Sequence, residues 1–101
     1  MRVFNASTIN RLCEEHTDAA NTLRLWFQWA KEGQWSSPAE LSRDLYQPSP
    51  VGPSRIVFNI GRQYRLICNV DYTRGGAIFL KWFGSHAEYD RIDAETADNL
   101  T

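Results

Sequence analysis

The sequence is poor in most of the features that would place it quickly. It has no apolar run near the ~20 residues that a membrane span requires, and its opening Met1-Arg2-Val3-Phe4-Asn5 lacks the apolar stretch of a signal peptide. The chain is therefore expected in the cytoplasm, with no membrane partner. The sequon Asn5-Ala6-Ser7 carries no weight without an export signal. Only two cysteines occur, Cys13 and Cys68, at no metal-ligand spacing, and both read as small buried hydrophobes. No cluster of carboxylates suggests a divalent metal, and no cofactor is expected. Net charge is almost absent, 11 Lys+Arg against 12 Asp+Glu giving −1, which on the total alone argues against nucleic acid. At 101 residues there is room for one domain burying roughly 65% of the surface of its unfolded chain, which excludes two linked catalytic domains. What the chain does have is aromatic rings. Four Trp, four Tyr and five Phe are many for one small core, so some are expected on a contact surface.

The first half reads as a helical layer, about 7–46, after a short opening strand over Arg2 to Phe4. Ser7 is placed to cap a helix through His16, with Ile9, Leu12 and Cys13 on one side. Asp18 is placed to cap a second helix to Glu32, stopped by Gly33 and carrying the stripe Ala19, Leu23, Trp26, Phe27 and Ala30. Leu25 and Trp29 widen that stripe, as in a helix buried on two sides or one that keeps a face for a partner. Ser37-Pro38-Ala39-Glu40 is a capping box opening a short helix through Leu41 and Leu45. Three prolines and a glycine within 47–54 then predict an irregular crossing to a sheet.

The sheet occupies 55–83. Arg55 to Ile60, Tyr64 to Tyr72 and Ala77 to Phe83 are rich in β-branched and aromatic residues, and the Gly61-Arg62-Gln63 and Thr73-Arg74-Gly75-Gly76 turns make them an antiparallel meander. Alternation assigns Ile56, Phe58, Ile60, Leu66, Cys68, Val70, Ile78, Leu80 and Trp82 to the face against the helices. The other face receives Arg55, Val57, Asn59, Arg65, Ile67, Asn69, Asp71, Ala77, Phe79, Lys81 and Phe83. Ser85-His86-Ala87-Glu88 is a second capping box, opening a short C-terminal helix from about His86. The tail from Asp93 is acidic and expected to be helical or frayed. The fold class is α+β: N-terminal helices on one face of a small, mainly antiparallel sheet, with a short C-terminal helix.

Counted by segment, charge is uneven. Residues 55–91 carry Arg55, Arg62, Arg65, Arg74, Lys81 and Arg91 against three acids, whereas 92–101 carry three acids and no cation. The sheet is a modestly basic surface that the tail masks in the total. A His in the first turn of a helix meets the positive end of its dipole, which favours the neutral, proton-accepting form. Tyr89 and Asp90 follow His86 at i+3 and i+4, on its side of the helix. With Arg65 and Lys81 reaching the same spot, the set would supply a base, a polar donor and cations for an anionic phosphoryl transition state. That is a plan for metal-free RNA cleavage, in which a 2′-hydroxyl attacks the adjacent phosphate.

The segments Phe58-Asn59-Ile60-Gly61, Tyr64-Arg65-Leu66-Ile67 and Phe79 to Asp90, with its Gly84-Ser85-His86-Ala87-Glu88-Tyr89-Asp90, closely resemble the HigB family of mRNA interferase toxins. The resemblance covers the last half of the chain. It implies a RelE/ParE-like fold, growth arrest by cleavage of mRNA being translated on the ribosome, and neutralisation by a HigA-type helix-turn-helix antitoxin, with DNA met only through that antitoxin. Carried over residue by residue, Arg65, Lys81, His86 and Tyr89 fall at the positions for chemistry. Arg55, Asn59 and Arg62 are the candidates for holding RNA, although Asn59, Gly61 and Asp90 also have structural readings as a strand-end hydrogen bond, a turn and an orienting group. The turn Gly61-Arg62-Gln63 departs from the family, whose members usually carry a small residue or Asn there; the departure adds a cation. Two other readings remain open: a non-nuclease toxin of the same fold that binds a protein target such as gyrase, and a catalytically inert interaction module.

Overall fold

The computed structural model describes residues 1–44, 46 and 48–101. The β-branched and aromatic runs form β3 (Arg55–Ile60), β4 (Tyr64–Asp71) and β5 (Ala77–Ser85), paired antiparallel as the turns require. The β3–β4 turn needs Gly61, whose φ of +65° lies in the left-handed region that side chains resist. Strand β1 (Arg2–Phe4) pairs in parallel with β5, and β2 (Ser49–Val51) pairs antiparallel with β3. The order is β1-β5-β4-β3-β2. Strand β2 corrects the expectation of an irregular crossing. Pro50 pairs with Ile56 on an edge strand, where a missing N–H breaks no inner ladder. Gln47, at the start of that crossing, lies outside the described residues.

The helices are α1 (Ala6–Glu15), α2 (Ala20–Glu32), α3 (Pro38–Leu41) and α4 (His86–Tyr89), with a 3₁₀ turn over Thr17–Ala19. Neither expected N-terminal cap is used. Helix α1 begins ahead of Ser7, behind Asn5 in a left-handed conformation at φ 64°, and no side chain caps it among the described residues. The cap position of α2 is Ala19, because Thr17–Ala19 winds as 3₁₀, and the Asp18 carboxylate instead accepts the Tyr64 hydroxyl at 2.9 and 3.0 Å to its two oxygens. That bond ties the helical layer to the β3–β4 turn. In α2, Leu23, Trp26 and Ala30 are buried, Phe27 and Trp29 half-buried, and Leu25 is 66% exposed, so the helix is covered on one side only. The Met1 amino group donates to the carbonyls of Ala30, Lys31 and Gly33 at 3.2, 3.1 and 2.5 Å, placing a cation at the negative end of α2. In α3 the Ser37 hydroxyl accepts from the Glu40 amide at 3.2 Å, but the Glu40 carboxylate reaches back to the Ser36 amide, so the expected box is half made. The helix stops at Leu41, and Leu45 lies outside the described residues.

Alternation sorts the sheet's faces correctly up to one point. Ile67 pairs with Trp82 but Cys68 pairs with Leu80, leaving Lys81 as the extra residue of a β-bulge. Beyond it the order of inward and outward residues is exchanged: Phe83 joins the core with Phe58, Leu66, Cys68, Leu80 and Trp26, while Trp82 turns to the opposite face. Both cysteines are buried, and burial pushes the Cys68 thiol well above its ordinary value.

The opposite face is therefore apolar at its centre, and the tail covers it. Ile92, Ala94 and Ala97 pack with Tyr89 on Val57, Ile67 and Trp82. The tail is neither helical nor frayed. Its Asn99 and Leu100 amides donate to the Lys81 carbonyl at 3.0 and 3.1 Å, and the Asn99 side chain bonds both the N–H and the C=O of Phe83, at 2.9 Å each. The tail thus continues along the β5 edge where β1 stops, and Leu100 enters the main core. Asn99→Ala removes both side-chain bonds and is expected to cost about 1–2 kcal/mol, read as a lower urea midpoint with faster proteolysis after residue 91. An unchanged midpoint would show that the tail is not anchored there.

Candidate functional site

Strand register decides which of the candidate side chains meet. Asn59 pairs with Arg65, and Arg65 pairs with Gly84, so one row crosses β3, β4 and β5 at the end of the sheet that the tail leaves uncovered. Asn59, Gly61, Arg62 and Arg65, with Tyr46, line a cavity of about 430 Å³. Arg65 is half-buried, and its guanidinium donates to its own strand's Tyr64 carbonyl at 2.9 Å, which fixes the stem of the side chain against the turn. Gly84 matters for the same row. A Cβ there would stand 2.5 Å from the Trp82 indole, so only glycine lets that ring lie beside Arg65's neighbour on β5.

His86 adjoins this row through the backbone. Its amide donates to the Gln63 carbonyl at 2.7 Å, locking the start of α4 to the β3–β4 turn that carries Arg62. The capping box forms fully: the Ser85 hydroxyl accepts from the Glu88 amide at 3.1 Å and the Glu88 carboxylate accepts from the Ser85 amide at 2.8 Å. Helix α4 has a single turn, so its dipole is small, and the nearer charge is Asp90, 3.9 Å from His86 Nδ1. A carboxylate on that side leaves Nε2 as the nitrogen available to a substrate. Tyr89, one turn on, packs over Trp82 at 6.3 Å between ring centres and lies on the same outer face as Arg65.

Two expected cations stand elsewhere. Arg55 Nη1 donates to the carbonyls of Ala94 and Ala97 at 3.1 and 2.7 Å, so this guanidinium fastens the tail. Lys81 sits in the bulge, beyond the Ile67–Trp82 pair from Arg65, and its charge is felt by Asp98 in the tail. The sequence reading put both on one open face with Arg65; the bulge and the tail separate them from it. Among the described residues, no group of three or more His, Cys, Asp or Glu side chains is arranged to hold a metal ion.

Sequence reasoning missed Tyr46. Its carbonyl accepts from the Asn59 amide at 3.1 Å, so it extends the β2 edge to the cavity. Its φ is 67°, a left-handed conformation costing a residue with a side chain about 1–2 kcal/mol. Two indoles hold the segment before it: Trp29 and Trp35 each donate Nε1–H to Asp44, at 3.1 and 3.0 Å, one to each carboxylate oxygen. The Tyr46 ring rests against Trp29 at 5.1 Å, and Trp29 against Trp35 at 4.6 Å. Desolvation raises the Tyr46 hydroxyl above its usual value. Gln-Pro-Ser-Pro after Tyr46 signalled a loop; nothing local signalled the bend.

The Ser85 amide, and then its hydroxyl, hold the Glu88 carboxyl below the usual carboxylate range. Because Glu88 is more acidic in the folded chain, its contribution is complete above its ordinary value of 4.5 and is lost as pH falls from there through the lowered folded value. The Ser85 amide resonance should accordingly titrate below 4.5, with fraying of α4, and Glu88→Gln should abolish that titration. A Ser85 amide that titrates identically in the Gln variant would remove Glu88 from the placement of His86.

A family described as HigB toxin, the RelE-like toxic component of a toxin-antitoxin system, matches residues 19–92, from the 3₁₀ turn through α4 and into the tail. Comparison with curated proteins returns no match. With the α+β architecture and the matched span agreeing, this chain belongs to the HigB toxin family and is the RelE-like toxic component of a toxin-antitoxin system.

Proposed function

We propose that the toxin is a ribosome-dependent endoribonuclease that cleaves mRNA at the open end of its outer sheet face. The observation that carries this reading is the row Asn59–Arg65–Gly84 with the His86 amide bonded to the adjoining turn, because it brings Arg62 and Arg65 to one cavity and starts beside it the short helix that carries His86 and Tyr89. In the reaction, His86 or Tyr89 takes the proton of a 2′-hydroxyl. The 2′-oxygen forms a bond to the adjacent phosphorus, Arg65 neutralises the charge that builds on the phosphoryl oxygens, and the bond to the 5′-oxygen breaks as that oxygen takes a proton from the other of the pair. Arg62 and Asn59 hold the strand on either side. Lys81, from the bulge, adds to the positive field at longer range, and Arg55 keeps the tail in place.

The modest charge is informative about the partner. Three local cations more than acids over residues 55–91 are too few to capture free RNA at physiological salt, where each phosphate contact adds to a steep salt dependence. A message already threaded through the ribosome needs only to be oriented. A HigA-type antitoxin, which would withhold this surface, and a cytoplasmic setting complete the reading. The test is induced expression with message integrity followed by primer extension. Arg65→Ala and His86→Gln should each lower cleavage about 10²-fold or more and relieve growth arrest in proportion. Arrest of unchanged strength with messages intact would transfer the function to a protein target.

A further inference from the structure

The cavity beside Arg65 has a wall that the proposed chemistry does not use. Among the described residues Tyr46 is the aromatic residue that lines it, together with the guanidinium-bearing Arg62 and Arg65. The wall is built to stay put. Asp44 receives two indole N–H bonds, Trp29 packs on the Tyr46 ring, and the Tyr46 carbonyl is fixed to β3, so a left-handed backbone is held at this residue. Tyr46 packs on the main core and also lines the cavity, so the contacts that stabilise the fold hold this residue at the cavity wall.

The position suggests what it meets. Tyr46 runs beside β3 and Arg65 lies on β4, so their backbones are two strand spacings apart, about 10 Å. Across that gap the surface changes from aromatic to cationic, which is the order of a base and its phosphate along a single strand. Aromatic rings accept any base through its π-face, whereas guanidinium groups accept any phosphate. We propose that Tyr46 is a nucleobase-stacking subsite of the toxin, with Asp44 as a positioning residue that holds the ring in place through Trp29 and Trp35. The proposal rests on the RNA-cleaving reading for the neighbouring groups, and it adds the contact that would set which nucleotide lies beside the cleaved bond.

A 2′-O-methyl RNA pentanucleotide cannot be cleaved by 2′-hydroxyl attack, so the intact protein can be titrated with it directly at low ionic strength, where a strand too weakly held at physiological salt still binds measurably. The control is an all-abasic backbone of the same length and charge, with binding followed by NMR. Wild type should prefer the base-bearing strand by about tenfold or more, with the Tyr46 ring protons shifted upfield. Tyr46→Phe should keep the preference, because stacking needs the ring and not the hydroxyl. Tyr46→Ala should bind both strands equally, and Asp44→Asn should weaken the preference while leaving affinity for the abasic strand unchanged. Equal binding of the two strands by wild type, or a preference that survives in Tyr46→Ala, would overturn the subsite. Loss of message cleavage in cells is a separate outcome: it bears on the catalytic reading, while the titration with an uncleavable strand decides Tyr46.

Discussion

Everything on the outer face follows from one extra residue in β5. Lys81 has no partner in the ladder, and by occupying the bulge it sends Trp82 to one side of the sheet and Phe83 to the other. A sheet in strict alternation would have sent Phe83 outward and Trp82 to the helices; the bulge exchanges them, so the larger indole joins Val57 and Ile67 on the outer face. Both faces are therefore apolar at their centres, and each fully buried aromatic or aliphatic side chain stabilises the fold by roughly 1.5–3 kcal/mol. The helices can cover only one face. The second is covered by the run after α4, with Tyr89 of that helix and Val51 of β2 packed beside it.

The tail's route then determines where a site can be. Ile92, Ala94 and Ala97 cover the middle of the outer face, and Arg55 and Asn99 pin the tail at β3 and β5. What stays open is the end of the sheet nearest the β3–β4 turn, bounded by Tyr46 on one side and α4 on the other. Asn59, Arg62 and Arg65 come together there because that is the uncovered row. Tail carbonyls hold Arg55, and Asp98 feels the charge of Lys81, whereas Arg62 and Arg65 line the open end.

Much of this could be read from the residues. Strands β3, β4 and β5 are legible to within two residues at each end because β-branched and aromatic side chains alternate between unmistakable turns, and the box at Ser85 and Glu88 forms as written. The caps at Ser7 and Asp18 were misread because each residue type also serves elsewhere: Asp18 is worth more as acceptor for Tyr64 than as a cap for a helix that begins with a 3₁₀ turn. The bulge was invisible, since Leu-Lys-Trp-Phe suits either phase of alternation. Pro50 disguised an edge strand, and four sparse apolar residues in an acidic run gave no sign of a structural strap. Asn59, Arg65 and His86 stand in the motif segments and Arg62 in the turn that departs from them; register joins Asn59 to Arg65, and a backbone bond brings His86 to that turn, whereas Arg55 and Lys81 are drawn away by the two features that the sequence concealed.

If the open row cuts RNA by attack of a neighbouring 2′-hydroxyl, as proposed, the chemistry of the cut ends records it most directly. Messages recovered from cells expressing the wild-type toxin should carry 5′-hydroxyl ends, matched by 2′,3′-cyclic phosphates on the upstream fragments, at sites within translated reading frames. Fragments bearing 5′-phosphates and 3′-hydroxyls, or full-length messages in arrested cells, would contradict it.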